Sequence, residues 1–362
     1  MQKTAFSPII YDMVDFSNAI YDGDVRLIGQ AANCPVHLAA MHFSAEASIE
    51  QYGYENIHEG DIVVLNDPYH GGTHIPDTTF TMPIYYEGRL LGFAVSRAHW
   101  TDLGGGAAGG YSYGTHIATE GLRIPPIKLF NRNEINDEFR RLLIANSRTP
   151  QYVEGDILAH LGALRAAEQE LIRTVNRYGE ETVRTAMREV IAYTERMTRK
   201  AIADIPDGVY EASDYLDSDG ISENPIRIKV KLIIEGDGIT VDFSGTDTGV
   251  AGAVNSPLAN TYSAVYYSLK FFLSPNAPAN AGMYAPVKIV LPDDCFLNAK
   301  WPAPTIGSTT LTSSKITSAI WQALALSMPE RITAPTCADA NPVLVSVTDP
   351  ATNMTSVFAD LP

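Results

Sequence analysis

The densest polar stretch of this 362-residue chain is Asn66-Asp-Pro-Tyr-His70-Gly-Gly-Thr-His74-Ile-Pro-Asp77, followed further on by Arg97-Ala-His99-Trp-Thr-Asp102. His-x-x-Asp occurs twice in it, as His74/Asp77 and His99/Asp102. Where such imidazole nitrogens and carboxylate oxygens converge they suit a divalent cation such as zinc, manganese or iron(II). A ligating imidazole must be neutral with its other nitrogen held by a partner, which Asp102 or a backbone carbonyl would supply. The competing reading is that these histidines cap loops and bond main-chain groups. Asp15, in Val14-Asp15-Phe16-Ser17, is a charged residue inside a β-like run, either a fourth ligand or an exposed edge residue. His37, in Cys34-Pro-Val-His37, either lines the same pocket or is a satisfied core histidine. All eight histidines fall within the first 160 residues, so imidazole chemistry belongs to the N-terminal part.

Two extended runs must bring these groups together: Thr78 to Tyr86 and Leu90 to Arg97, joined through Glu87-Gly88 as a two-residue hairpin loop. Tyr86 then pairs with Arg89, every later pair sums to 175, and His99 falls opposite residue 76. Its Cβ should sit roughly 5–8 Å from those of His74 and Asp77. Gly71-Gly72 lets backbone approach closely beside them. The run at 104–110 formally contains G-x-G-x-x-G, but Gly110-Tyr-Ser-Tyr-Gly114 follows instead of a helix, so a dinucleotide reading fails. A substrate-covering loop, with Gly105 and Gly106 as substrate contacts, fits better. Neither a G-x-x-x-x-G-K-[ST] phosphate loop nor a G-x-S-x-G nucleophile elbow occurs.

Around this cluster the chain reads as α+β, in three segments. Residues 1–148 form an N-terminal α+β part with a mixed sheet and the metal-bearing hairpin, including a buried strand at Ile62 to Asn66 ended by Asp67-Pro68. Residues 149–205 read as a helical hairpin, broken at Asn176-Arg-Tyr-Gly179 and resumed at Glu180. Its Arg165, Arg173, Arg184 and Arg188 belong to a solvated face with intrahelical Glu–Arg pairs, with a phosphate-binding face as the alternative. Residues 206–362 form a C-terminal α+β part. It holds a hairpin of period two around Glu235-Gly-Asp-Gly238, a helix capped by Ser256 with Pro257 in its first turn, and a second helix from Ser314 to Met328.

Composition narrows the function classes. The net charge of −16 repels phosphates and argues against nucleic acid, although residues 121–200 carry +3 against −10 before and −9 after. Cys34, Cys295 and Cys337 are odd in number and lack C-x-x-C spacing, so disulfides and a thiolate zinc site are not indicated and a reducing cytoplasm fits. Neither an export signal nor a run of about 18 apolar residues is present, which leaves no membrane span. The final Val357-Phe-Ala-Asp-Leu-Pro362 stops in mid-pattern, as in a fragment.

Seven motifs in order carry a family resemblance: Thr4-Ala-Phe-Ser-Pro-Ile-Ile10, Asp15-Phe-Ser17, Pro35-Val-His37, Asn66-Asp-Pro with Gly71-Gly-Thr-His-Ile-Pro-Asp77, Arg97-Ala-His99, Glu120-Gly-Leu-Arg-Ile-Pro-Pro126 and Val254-Asn-Ser-Pro-Leu258. The chain resembles the hydantoinase B/oxoprolinase family, which includes the alpha-type subunits of acetone and acetophenone carboxylases. The resemblance implies a B-type catalytic subunit holding a divalent metal, in a hetero-oligomer with a hydantoinase A-type subunit that binds ATP and phosphorylates a small-molecule substrate. It implies metal ligation by His74, Asp77 and His99 with Asp15 as the fourth ligand, and ends shorter than the family's. The expected reaction is ATP-dependent opening of a cyclic amide such as a hydantoin, 5-oxoproline or a lactam, in which phosphorylation activates the carbonyl and water activated at the metal attacks it. Asp102 is then the candidate general base or orienter, and Arg97 the candidate stabiliser of phosphate or carboxylate charge. Ketone carboxylation and a non-catalytic assembly role are the alternatives.

Overall fold

The computed structural model describes residues 1–111, 114–334, 343–352 and 355–360. Cys337 lies outside them. A short helix α1 (Pro8–Tyr11) leads into β1 (Phe16–Asp22) and β2 (Leu27–Ala32). Helix α2 (Ala40–Tyr52) is followed by β3 (Ile62–Leu65), β4 (Asp77–Tyr86), β5 (Arg89–His99), β6 (Ile127–Asn131) and β7 (Glu134–Ile135). Together these strands make a seven-stranded sheet in the order β2-β1-β5-β4-β3-β6-β7. Every neighbouring pair in it is antiparallel, so the mixed sheet expected for this part is not what forms. Its strands return through hairpins and loops, with no helical crossover between hydrogen-bonded neighbours of the kind parallel pairing requires.

Both faces of the central hairpin are buried. Phe80, Met82, Ile84, Ala94 and Ala98 pack with Ile157 and Leu164 on one face, and Tyr21, Phe93 and Val95 pack with Met41 and Ala45 on the other. At about 1.5–3 kcal/mol per fully buried large apolar side chain, this packing fixes which way β4 and β5 face. The register differs from a simple two-residue hairpin. Tyr86 pairs with Arg89 and Tyr85 with Leu90, but Ile84 pairs with Gly92, leaving Leu91 as a bulged residue. From there on the pairs sum to 176, so His99 lies directly opposite Asp77 and not residue 76.

After α3 (Asp137–Ala145) comes the helical hairpin, α4 (Pro150–Tyr178) and α5 (Glu180–Ala203). Proline in the first turn starts α4, and Gly179, with φ of 84°, ends it. Arg165–Glu168, Arg173–Glu170, Arg184–Glu180 and Arg188–Glu181 pair along its surface, as a solvated helical face does. Beyond it, β8 (Gly208–Leu216), β9 (Ile226–Glu235) and β10 (Gly238–Asp242) precede α6 (Leu258–Leu273), β11 (Val287–Val290) and α7 (Thr312–Ser327). The four strands form a second sheet, β11-β10-β9-β8, in which β10 and β11 run parallel, so this sheet is the mixed one. A two-stranded antiparallel ribbon, β12 (Val343–Thr348) and β13 (Thr355–Asp360), completes the described chain.

Two helix starts differ from expectation. Helix α6 begins one residue late, with Pro257 at the cap position, because the Ser256 hydroxyl instead accepts from Asn260 Nδ2 and Thr261 Oγ1 at 2.8 Å each. Helix α7 begins at Thr312, whose hydroxyl donates to Val254 O, two residues before Ser314. Helix α5 spans two cores: Val183 and Met187 pack with the first sheet, and Ile202 joins the core under the second.

Candidate metal centre

Four backbone segments converge at one end of the first sheet. Asp77 opens β4 and His99 closes β5, directly opposite each other. Asp15 immediately precedes β1, and its carbonyl accepts from the His99 backbone N–H at 3.1 Å. His74 sits in the loop before β4, and His37 ends a single helical turn, Pro35–His37. The His74 loop is held by Asn66, whose amide donates to Ile75 O at 2.7 Å and Leu122 O at 3.0 Å while its oxygen accepts from Ile124 N. Gly71 in this loop has φ of 88°, and a Cβ there would lie 2.4 Å from Phe43 O, so only glycine fits.

The donor atoms are spaced as ligands around one ion. His74 Nε2 lies 3.2 Å from His99 Nδ1 and 3.1 Å from Asp77 Oδ1, and His99 Nδ1 lies 3.6 Å from Asp77 Oδ1 and 3.7 Å from Asp15 Oδ2. Donors about 2.1 Å from a tetrahedral ion are about 3.4 Å apart, so these edges fit a small divalent cation. His74, Asp77 and His99 are buried, while the Asp15 side chain keeps 17% exposure and marks the open side.

Neighbouring groups hold the ligands in place. His74 Nδ1 lies 3.2 Å from Ile306 O and 3.0 Å from Thr309 Oγ1. Donation from Nδ1 to that carbonyl leaves Nε2 with its lone pair toward Asp77 and His99. Thr73 Oγ1 donates to Asp77 Oδ2. Burial opposes the imidazolium of His74, but the charge and hydrogen bond of Asp77, the Ile306 carbonyl and the charge of Asp15 outweigh it and hold its pKa above the ordinary value. Burial likewise opposes ionised Asp77, yet His74 and His37 hold it well below the usual carboxylate range. The cluster is thus built to keep Asp77 negative beside imidazoles, the electrostatics a cation requires.

The remaining sequence-derived candidates lie around this centre in other roles. Arg97 is fully buried, and donates from Nε to Thr79 Oγ1 and from Nη2 to Ser44 Oγ, both at 2.7 Å, and to Gly71 O at 3.2 Å. It braces the His74 loop against α2. Asp102 pairs with Arg148 at 2.7 Å and accepts from the Arg148 backbone N–H, and it makes no ion pair with a cluster histidine among the described residues. The orienting partner of His74 is therefore the Ile306 carbonyl. Gly105 and Gly106 are exposed, and their loop is fastened by Arg148 Nη2 to Gly105 O at 2.6 Å and by Gly106 N to Thr119 O at 2.8 Å.

Several contributing residues were not site candidates in the sequence. Thr309 lies in the run Gly307-Ser-Thr-Thr-Leu-Thr-Ser-Ser314, which reads only as the approach to a helix, and Ile306 immediately precedes that run. Glu120 anchors that segment, accepting from Thr305 N at 2.5 Å and Ile306 N at 2.9 Å. Burial raises its carboxyl to about 7. Tyr111 makes a side-chain hydrogen bond with Thr310 and lies within the field of the cluster's carboxylates. Burial, then the charges of Asp15 and Asp77, raises its phenol well above the ordinary value.

The hydantoinase B/oxoprolinase family model matches residues 1–360. Caprolactamase subunit beta of Pseudomonas jessenii is 33% identical over 92% of this chain and 58% of that subunit. In the crystal structure of the ATP-dependent caprolactamase from Pseudomonas jessenii, a chain superposes with a TM-score of 0.87 at 32% identity, covering 95% of this chain and 59% of that one. The 5-oxoprolinase of Dictyostelium discoideum is 30% identical over 89% of this chain and 26% of its own length. A nucleotide-free acetone carboxylase structure superposes with a TM-score of 0.89 over 99% of this chain and 50% of that one, and at 17% identity it shares the fold.

Proposed function

The chain belongs to the hydantoinase B/oxoprolinase family, and from that premise we propose that it is the metal-holding part of a B-type subunit of an ATP-dependent cyclic amide hydrolase, working with an A-type partner that binds ATP and phosphorylates the amide oxygen. The observation that carries this reading is the convergence of His74, Asp77 and His99 with ligand-like spacing, with Asp15 Oδ2 beside His99 Nδ1 at 3.7 Å. The 33% identity to a caprolactamase subunit favours amide hydrolysis over ketone carboxylation, because the likeness to acetone carboxylase is one of fold.

A divalent cation on these four residues would supply Lewis-acid polarisation of a carbonyl or phosphoryl oxygen. The chain's own residues set up the rest. Ile306 and Thr309 fix the ring of His74, Thr73 fixes Asp77, and Arg97 fixes the start of the loop that carries His74. Tyr111, kept protonated by burial and by the two carboxylates, is the hydroxyl donor assigned to the leaving ring nitrogen. Water adds to the phosphorylated carbon, the C–N bond breaks, and the nitrogen departs as an amine that takes a proton. The acyl phosphate left behind is split by a second water. Expulsion of phosphate at the first step would only return the lactam, so C–N cleavage must come first.

The test is coexpression with the A-type partner and an assay of ATP-dependent ring opening across lactams, hydantoins and 5-oxoproline. Amine release matched by phosphate is the expected result. Incorporation of labelled bicarbonate into a stable product from a ketone, without ring opening, would overturn it in favour of carboxylation.

A further inference from the structure

The two aspartates of the cluster each turn their oxygens toward different imidazoles. Asp77 presents Oδ1 to His74 and His99, and Oδ2 to His37 Nε2 at 3.6 Å. Asp15 does the same, with Oδ2 toward His99 at 3.7 Å and Oδ1 toward His37 Nε2 at 3.6 Å. Cys34 closes this second set, since one donor atom each from Asp15, Cys34 and His37 lie within 4.8 Å of one another. A single cation accounts for His74, His99 and one oxygen of each aspartate. It leaves a third imidazole facing the other two oxygens and a thiol beside Asp15 and His37.

Hydrogen bonding accounts for them only in part: one bond joins the Cys34 thiol to Asp15, and His37 holds Asp77 at more than ordinary hydrogen-bond length. Both His37–carboxylate separations, 3.6 Å, exceed the ~3.2 Å limit of an ordinary N–H···O bond, and Asp15 Oδ1 is buried with no hydrogen-bond partner. Buried carboxylate oxygens are ordinarily satisfied, so this atom calls for a partner. His37 is also held as a ligand is held: its Nδ1 lies 3.2 Å from Ser17 Oγ, which leaves Nε2 turned to both carboxylates.

We propose a second divalent-cation site made by Asp15, Cys34, His37 and Asp77, adjoining the first, with the two carboxylates bridging the pair. A set of one thiolate, one imidazole and two carboxylate oxygens favours zinc among the common divalent ions. Bridging carboxylates are how a protein holds two ions at the ~3.5–4 Å separation of two-metal sites. The proposal rests on the reading of His74, Asp77 and His99 as the first site, and the two fail differently.

The full chain, stripped with a chelator and dialysed, is titrated with cobalt(II) and with zinc(II). Two equivalents are expected, with a thiolate-to-cobalt charge-transfer band in the near ultraviolet. Cys34→Ser should abolish that band, and His37→Ala should reduce the stoichiometry to one. A wild-type chain that takes up one equivalent without the band overturns the second site and leaves the first intact. Two equivalents without the band overturn this ligand set, and no uptake at all overturns the reading of the first site as well. The wild-type measurement decides among these even if a variant folds poorly.

Discussion

Asp77 is the residue on which the centre depends, since its two oxygens meet His74, His99, His37 and the Thr73 hydroxyl. Thr73→Val keeps the shape of the side chain and removes that hydrogen bond. Losing an outer partner of this kind typically weakens metal binding about 10–100-fold, and isothermal titration of the variant should show a loss in that range. Tyr111→Phe should leave metal content unchanged and lower kcat by about 10²-fold with little effect on KM, the pattern of a group that acts in proton transfer. Equal losses in kcat and in metal content would instead make Tyr111 a structural residue. At this scale the sequence was informative where the clustered groups are close in the chain, as with His74 and Asp77, and silent where they are not. Ile306 meets His74 across 232 positions, and no spacing rule reaches that far.

Elements convert those residue types into a geometry, and the β4–β5 hairpin does most of this. The hairpin itself was legible from alternating apolar runs around Glu87-Gly88, but its register was off by one because Leu91 is bulged. The available signal was Gly92, an isolated glycine in mid-strand, where a Cβ would lie 2.2 Å from Tyr21 O on the neighbouring strand. The loop before β4 is equally constrained. Gly71→Ala should cost roughly 2–4 kcal/mol in chemical unfolding, from a strained positive φ and a clash with the Phe43 carbonyl, and should displace His74 enough to weaken metal binding.

On the opposite face of the hairpin, His160 of α4 stacks on Phe80 and accepts from Trp100 Nε1 at 3.2 Å. Burial, with the N-terminal ammonium as a smaller cause, pushes its pKa down from 6.5 to about 3. The unfolded chain takes up this proton near 6.5 and the folded chain refuses it until about 3. The contribution to stability is therefore complete above the upper value and is lost as pH falls toward the lower one. At ~1.4 kcal/mol per unit the loss is on the order of 5 kcal/mol at full extent. In His160→Gln, stability measured by urea unfolding should fall less steeply with acid over that window. An unchanged slope would count against the assignment.

At the scale of the whole molecule, the centre is not the property of the N-terminal part alone. The histidine bias toward the first 160 residues pointed to the candidate ligands, but the carbonyl and hydroxyl that orient His74 come from the segment before α7. Glu120 ties that segment down with three hydrogen bonds. Further contacts join the halves, among them Ser263 Oγ to Val36 O and Tyr284 Oη to Leu38 O at 3.0 Å, either side of His37. Glu120→Ala leaves two buried backbone N–H groups without a partner. It should lower stability by about 2–4 kcal/mol and reduce metal affinity through His74, without touching a ligand.

The chain spans 58% of the length of caprolactamase subunit beta, so its proposed reaction is to be assayed in the assembled enzyme, whereas the candidate metal centre is built from its own residues. Elemental analysis of the metal-reconstituted wild-type chain beside His74→Ala tests the central claim most directly. The account predicts that the variant, folded by circular dichroism, holds at least one equivalent of divalent metal fewer than wild type. Undiminished stoichiometry in His74→Ala would contradict it.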